Sequence, residues 1–138
     1  AKEFSVLLSR EIVNNTPYTG ANFTNFEMSL AGTAGIVWTQ FFVPNDFIAL
    51  TDCVIMGIAD ATETVQWDLL TNFAASGEAY TANSGSDTSA THITTLNQIA
   101  EFDVSTGLIG LAANDYVAIK FSSNTDYMFL GQLRFRYT

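Results

Sequence analysis

Apolar and polar residues alternate most cleanly in Thr64–Phe73. Val65, Trp67, Leu69, Thr71 and Phe73 take one parity, and Gln66, Asp68, Leu70 and Asn72 take the other. A period of two places the two sets on opposite faces of a β-strand, with the bulky set inward. Trp67 is therefore expected in the core. The closing stretch Asp115–Thr138 repeats the pattern twice. Val117, Ile119 and Phe121 alternate with smaller or polar residues. Phe129, Leu133, Phe135 and Tyr137 then share one parity with Gly131, leaving Gln132, Arg134 and Arg136 on the other. The linker Ser122–Asp126 is short and rich in turn formers, so these two strands are expected to pair as an antiparallel hairpin.

Earlier segments follow the same logic. In Lys2–Asn14, Phe4, Val6, Leu8, Arg10 and Ile12 alternate with Ser5, Leu7, Ser9, Glu11 and Val13. Leu7 and Val13 make both faces partly apolar, which predicts a strand covered on two sides or lying in a subunit contact. Asn14–Gly20 reads as a turn, and Ala31–Gly35 as a Gly/Ala/Thr break. Residues 1–35 are thus expected to form an arm or first hairpin added to a regular body, residues 36–138. In Ile36–Val43, Trp38, Gln40 and Phe42 alternate with Val37, Thr39, Phe41 and Val43, and Pro44-Asn45-Asp46 ends the strand. Cys53–Ala59 is a nearly continuous apolar strand of the kind buried on both faces. Ser76-Gly77-Glu78 marks a turn. Thr81–Thr95 is rich in Ser and Thr and is expected as a long exposed loop or an edge with a mobile tip. Ile99, Phe102 and Val104 give a short strand, and a helical turn is expected at Leu108–Ala112. About eight short strands without a long helical period predict an all-β, single-domain, two-sheet antiparallel sandwich.

Composition sharpens this picture in two respects. Only 14% of the 138 residues are charged, against about 25% in ordinary domains. A surface of uncharged β-formers suits a chain whose faces meet other protein, and equally an extracellular β domain. The net charge of −9 argues against nucleic acid, whose affinity rests on Lys and Arg at phosphates, and against anionic membranes. No apolar run approaches the roughly 18 residues that span a bilayer. The start at Ala1 is consistent with a removed initiator Met, and the expectation is a soluble protein folded in a reducing cytoplasm.

Catalytic chemistry is sparse. The single cysteine, Cys53, lies in an apolar run and is expected as a small buried hydrophobe. The single histidine, His92, sits apart from it in sequence, so neither a Cys/His nucleophile nor a transition-metal cluster is expected. Glu101 with Asp103, and Asp60 with Glu63, are carboxylate pairs expected as solvated face and turn residues. Asp46, Asp52 and Asp87 could hold calcium only without the ordered spacing of an EF-hand. Asn14-Asn15-Thr16 and Asn22-Phe23-Thr24 match the glycosylation pattern, common by chance in an Asn/Thr-rich chain. No enzyme activity and no cofactor are expected. Arg134 and Arg136 share one face of a terminal strand and could pair with acids across the sheet or with a neighbouring subunit.

Several pieces occur together in order: Val43-Pro44-Asn45-Asp46-Phe47, Gln66-Trp67-Asp68, Ser76-Gly77-Glu78, Ile99–Val104, Leu111–Phe121 and Tyr127–Tyr137. Over roughly Ile36–Thr138 this resembles a group of small jelly-roll proteins encoded by tailed bacteriophages. The resemblance implies a jelly-roll body and a structural role in the virion: a capsid decoration (cement) protein, often a trimer seated on the major capsid protein, or a fibre domain. Terminal arms in such proteins strap neighbouring subunits together. The assembly contacts expected on this reading are Phe4, Val6, Leu7, Leu8, Arg10, Ile12, Val13, Arg134 and Arg136. The rival expectation is a carbohydrate- or receptor-binding domain, for which Tyr18, Tyr80 and Trp38 are the candidate exposed aromatics.

Overall fold

The computed structural model describes residues 1–10, 29–31, 36–59, 61–123 and 128–138. Within them the chain forms ten strands: β1 (Lys2–Leu7), β2 (Ser9–Arg10), β3 (Ser29–Ala31), β4 (Ile36–Phe42), β5 (Leu50–Ala59), β6 (Glu63–Ala74), β7 (Asn83–Thr94), β8 (Ile99–Asp103), β9 (Tyr116–Ser123) and β10 (Met128–Tyr137). The first sheet runs β1-β10-β5-β8, with β3 also on β10, and the second runs β2-β4-β9-β6-β7. Every pairing is antiparallel. The protein is an all-β, two-sheet sandwich.

One core lies between the sheets, supplied by alternate positions of each strand. Val65, Trp67, Leu69, Thr71 and Phe73 of β6 are all buried, as are Val117, Ile119 and Phe121 of β9. Opposite them lie Cys53 and Ile55 of β5, Phe102 of β8, and Leu133, Phe135 and Tyr137 of β10. Aromatic rings tie the sheets together: Phe135 stacks on Phe4 at 5.0 Å and meets Phe41 of the second sheet at 5.2 Å. Trp67 stacks on Phe121 at 5.2 Å within the second sheet. Burial pushes the Cys53 thiol far above its usual range, with the nearby Asp103 and Asp52 carboxylates adding to the effect. It is a packed small hydrophobe, not a nucleophile.

The structure corrects the sequence reading at four places. β9 and β10 do not form a hairpin, since β9 lies between β4 and β6 and β10 between β1 and β5. The linker carries the chain from one sheet to the other, and residues 124–127 of it lie outside the described residues. The alternation in β10 is interrupted by an extra residue between Leu130 and Gln132, so Leu130 joins Leu133 in the core although it has the opposite parity. The first strand does not run unbroken to Asn14. It breaks at Leu8, whose amide bonds to the carbonyl of Gly131, and the chain then enters the second sheet as β2. The turn expected at Leu108–Ala112 is a 3-10 turn three residues earlier, at Ser105–Leu108.

Of the two readings of Thr81–Thr95, the edge holds: most of it is β7, a twelve-residue strand at the edge of the second sheet. One of its inner positions, Gly85, meets backbone instead of a side chain. A Cβ on Gly85 would overlap the backbone of Gly107, coming within 2.9 Å of its Cα, and one on Gly107 would lie 2.7 Å from Leu69 Cδ2. The Thr71 hydroxyl donates to the carbonyl of Gly107 at this crossing and lies 3.4 Å from that of Gly85. Further along, Thr88 and Ser89 bulge out opposite Asp68. Ser89 takes a left-handed backbone with φ 57°, and its amide donates to Asp68 Oδ1 at 2.8 Å.

Candidate functional site

The two outer faces differ in chemistry. On the first sheet, Arg134 lies between Ser5 and Val54, and Arg136 between Glu3 and Asp52. Arg134 pairs with Glu101 at 3.2 Å, and Arg136 donates through Nε to Asp52 at 2.7 Å. Of the alternatives that the sequence left open, the arginines take acids across their own sheet. Lys2 pairs with Asp46, which also accepts from the Tyr137 hydroxyl at 3.2 Å.

This network has a pH signature. The hydrogen bond from Arg136 holds the Asp52 carboxyl below its usual range, against the effect of burial, with the charges of Arg136 and Arg134 assisting. Near pH 4 the unfolded chain therefore binds more protons than the native one. The Asp52 contribution should be complete above about pH 4 and fall away as the pH drops through the lowered native value. Thermal midpoints between about pH 3 and 6 check this: the gap between wild type and Asp52→Asn should narrow on the acid side. A gap constant with pH would remove the ion pair from the account.

The outer face of the second sheet is nearly uncharged and concave. Strand register sets Gln40, Ala118 and Asn72 side by side on β4, β9 and β6. Trp38, Lys120 and Leu70 make the row on one side, and Phe42, Tyr116 and Ala74 the row on the other. Ala118 is the smallest residue of the middle row, so a trough opens over it. The β6–β7 turn closes one end, held by the Glu78 carboxylate accepting from the Ala75 amide at 3.0 Å and by Gly77 with φ +92°. The resulting groove has a volume of about 560 Å³ and is lined by Trp38, Gln40, Asn72, Tyr80 and Tyr116 among others. Lys120 Nζ sits 5.6 Å from the centre of the Trp38 ring, and Tyr116 packs on Phe42 at 5.0 Å. Tyr80 is 80% exposed and Tyr116 61%.

The expected contact residues take different places in the structure. Leu8 is buried in the core of this chain, and Phe4 and Val6 pack against it while staying partly exposed. Leu7 is exposed on the outer face of β1. Arg134 and Arg136 are held in ion pairs. The backbone of Arg10 lies in β2, while Ile12, Val13, Tyr18, Asp60 and both glycosylation patterns lie outside the described residues. Trp38 and Tyr80, two of the candidate aromatics, both line the groove; Tyr116, Gln40 and Asn72 were not among the candidates. Among the described residues no three acids, histidines or cysteines cluster as metal ligands, and no helix is long and apolar enough to cross a membrane. Asp46, Asp52 and Asp87 lie apart, Asp87 accepting from the Thr106 hydroxyl at 3.0 Å. The His92 ring meets the Phe102 ring edge-on at 4.9 Å.

Fold and surface define a two-sheet β-sandwich with an ion-paired outer face and an aromatic, amide-lined one. Compared with known protein families, with curated proteins and with solved structures, the chain matches none.

Proposed function

We propose that the chain is a structural virion protein of the capsid decoration type, binding other virion proteins and its own copies through exposed strand edges. The observation that carries this reading is β7. It is a twelve-residue edge strand, Asn-Ser-Gly-Ser-Asp-Thr-Ser-Ala-Thr-His-Ile-Thr, with no Lys or Pro. Exposed edges invite pairing with another chain, and proteins that stay alone blunt them with lysine, proline, short length, bulges or inward charge. β7 carries one bulge and the inner Asp87, yet runs for twelve residues without lysine or proline. Where β7 leads into β8, Ile93, Leu96 and Ile99 are all half exposed or more. An apolar rim beside an open edge is what a neighbouring subunit covers.

The strand order adds support. Leaving aside the short β2 and β3, one sheet holds the first, last, third and sixth of eight strands, and the other the second, seventh, fourth and fifth. That alternation between sheets supports the reading as a jelly roll, the body found in the phage proteins that the sequence resembles. On this reading the mechanism is adhesive, with apolar area buried between subunits at about 25 cal/mol per Å². Assembly as a trimer on the major capsid protein is the expected arrangement.

The test is saturation binding to shells lacking this chain, with analytical ultracentrifugation of the free protein alongside. Wild type should saturate at a fixed ratio to the shell protein. The Ile93→Lys, Ile99→Glu double variant should bind at least tenfold more weakly, about 1.4 kcal/mol or more, while keeping its thermal midpoint. Equal binding by the variant, or a wild-type monomer that ignores the shell, overturns the proposal.

A further inference from the structure

The groove over Ala118 has a chemistry that the adhesive role does not use, and we propose that it is a binding site for neutral oligosaccharides. Its volume of about 560 Å³ falls in the range of small-molecule sites, roughly 300–1,000 Å³. The floor carries two primary amides, Gln40 and Asn72, one strand to either side of Ala118. Two strand spacings separate their Cα atoms by about 9.5 Å. Each amide offers both donors and acceptors, which matches hydroxyl groups that also do both. The walls carry aromatic rings, Trp38 at one end and Tyr116 and Tyr80 toward the other. From the Trp38 row to the Tyr116 row is four residues of strand, about 13 Å, longer than one pyranose ring. Flat rings at the ends with amides between them suit a ligand with apolar C–H faces and a polar rim.

The other occupants fit less well. An apolar protein segment would bury the two amides without partners, which is costly because each would give up its hydrogen bonds to water. An anionic ligand would meet Glu78 and, in the whole chain, a net charge of −9. Lys120, the nearby cation, lies over the Trp38 ring. The site also differs from the β7–β8 rim, so a sugar and a neighbouring subunit need not compete.

The experiment titrates the full chain with a panel of neutral tri- to hexasaccharides of glucose, galactose, mannose and N-acetylglucosamine. Binding is read by calorimetry and by the intrinsic fluorescence of Trp38, since Trp67 is buried away from the groove. Saturable binding to one or more panel members is expected. Ala118→Leu, which fills the trough from the outside, should weaken it at least tenfold, as should Gln40→Ala with Asn72→Ala. Both variants should keep the wild-type thermal midpoint and shell binding. No saturable response from the wild type at millimolar sugar overturns the inference, as does undiminished binding by Ala118→Leu. If instead the variants lose shell binding and the wild type ignores every sugar, the groove is a protein contact and the proposal fails while the adhesive role stands.

Discussion

Replacing Phe135 by alanine should destabilise the protein by about 3–5 kcal/mol, the range for a phenylalanine lost from a well-packed core. Phe135 is fully buried and its ring touches those of Phe4, Phe41, Phe47 and Tyr137, so it joins β1, β4, the segment before β5 and its own strand. Collapse around the gap is limited because these neighbours sit on different elements. Urea unfolding measures the loss, and the midpoint should fall with little change in slope. Phe42→Ala serves as the comparison: that ring is 45% exposed on the outer face, and its loss should cost much less. Equal costs would mean that the two rings are not sorted between core and surface as described.

The second large effect is expected at a residue with no side chain. Gly85→Ala should cost about 3 kcal/mol, the upper part of the usual range for overpacking. The new methyl group would meet the backbone of Gly107, and backbone cannot rotate aside as a side chain can. Relief would require lifting β7 from the 3-10 turn and straining the hydrogen bond from Thr71 to Gly107. Ser84→Ala, on the exposed neighbouring position, should change stability by no more than about 0.5 kcal/mol. A Gly85→Ala protein as stable as wild type would show that β7 and the turn do not touch.

The contrast between these sites explains which parts of the fold were legible. Alternation revealed the inward set of β6 without error because every inner position there is filled by a large or branched side chain. It could not show that β9 and β10 belong to different sheets. Both inner faces of a sandwich line the same core, so the period of two reports which side faces inward and not which sheet a strand joins. Ser122–Asp126 suits a tight turn and an arch between sheets equally well by composition. β7 was obscured for the opposite reason: at its inner positions Gly85 faces backbone and Asp87 a hydroxyl, so no apolar period appears. Gly85 flanked by serines looked like loop chemistry when it marks a close crossing.

The groove was half legible. Trp38 and Tyr80 stood out as aromatics, and Asn72 lay on the polar parity of the clearest strand. Placing Gln40 and Asn72 on either side of Ala118 requires knowing that β9 lies between β4 and β6, which no local pattern encodes. Tyr116 was hidden because a tyrosine at the start of a strand reads equally well as core or rim.

The position of β10 within the first sheet has a consequence for how the polypeptide emerges from the ribosome. β10 follows every other described strand in the chain, yet it alone joins β1 and β3 to β5. Until it is translated, β1 has no partner along its ladder and the aromatic cluster lacks its central ring. The nascent chain therefore carries an unpaired β1 until β10 has been translated, and closure of the sandwich waits on that strand.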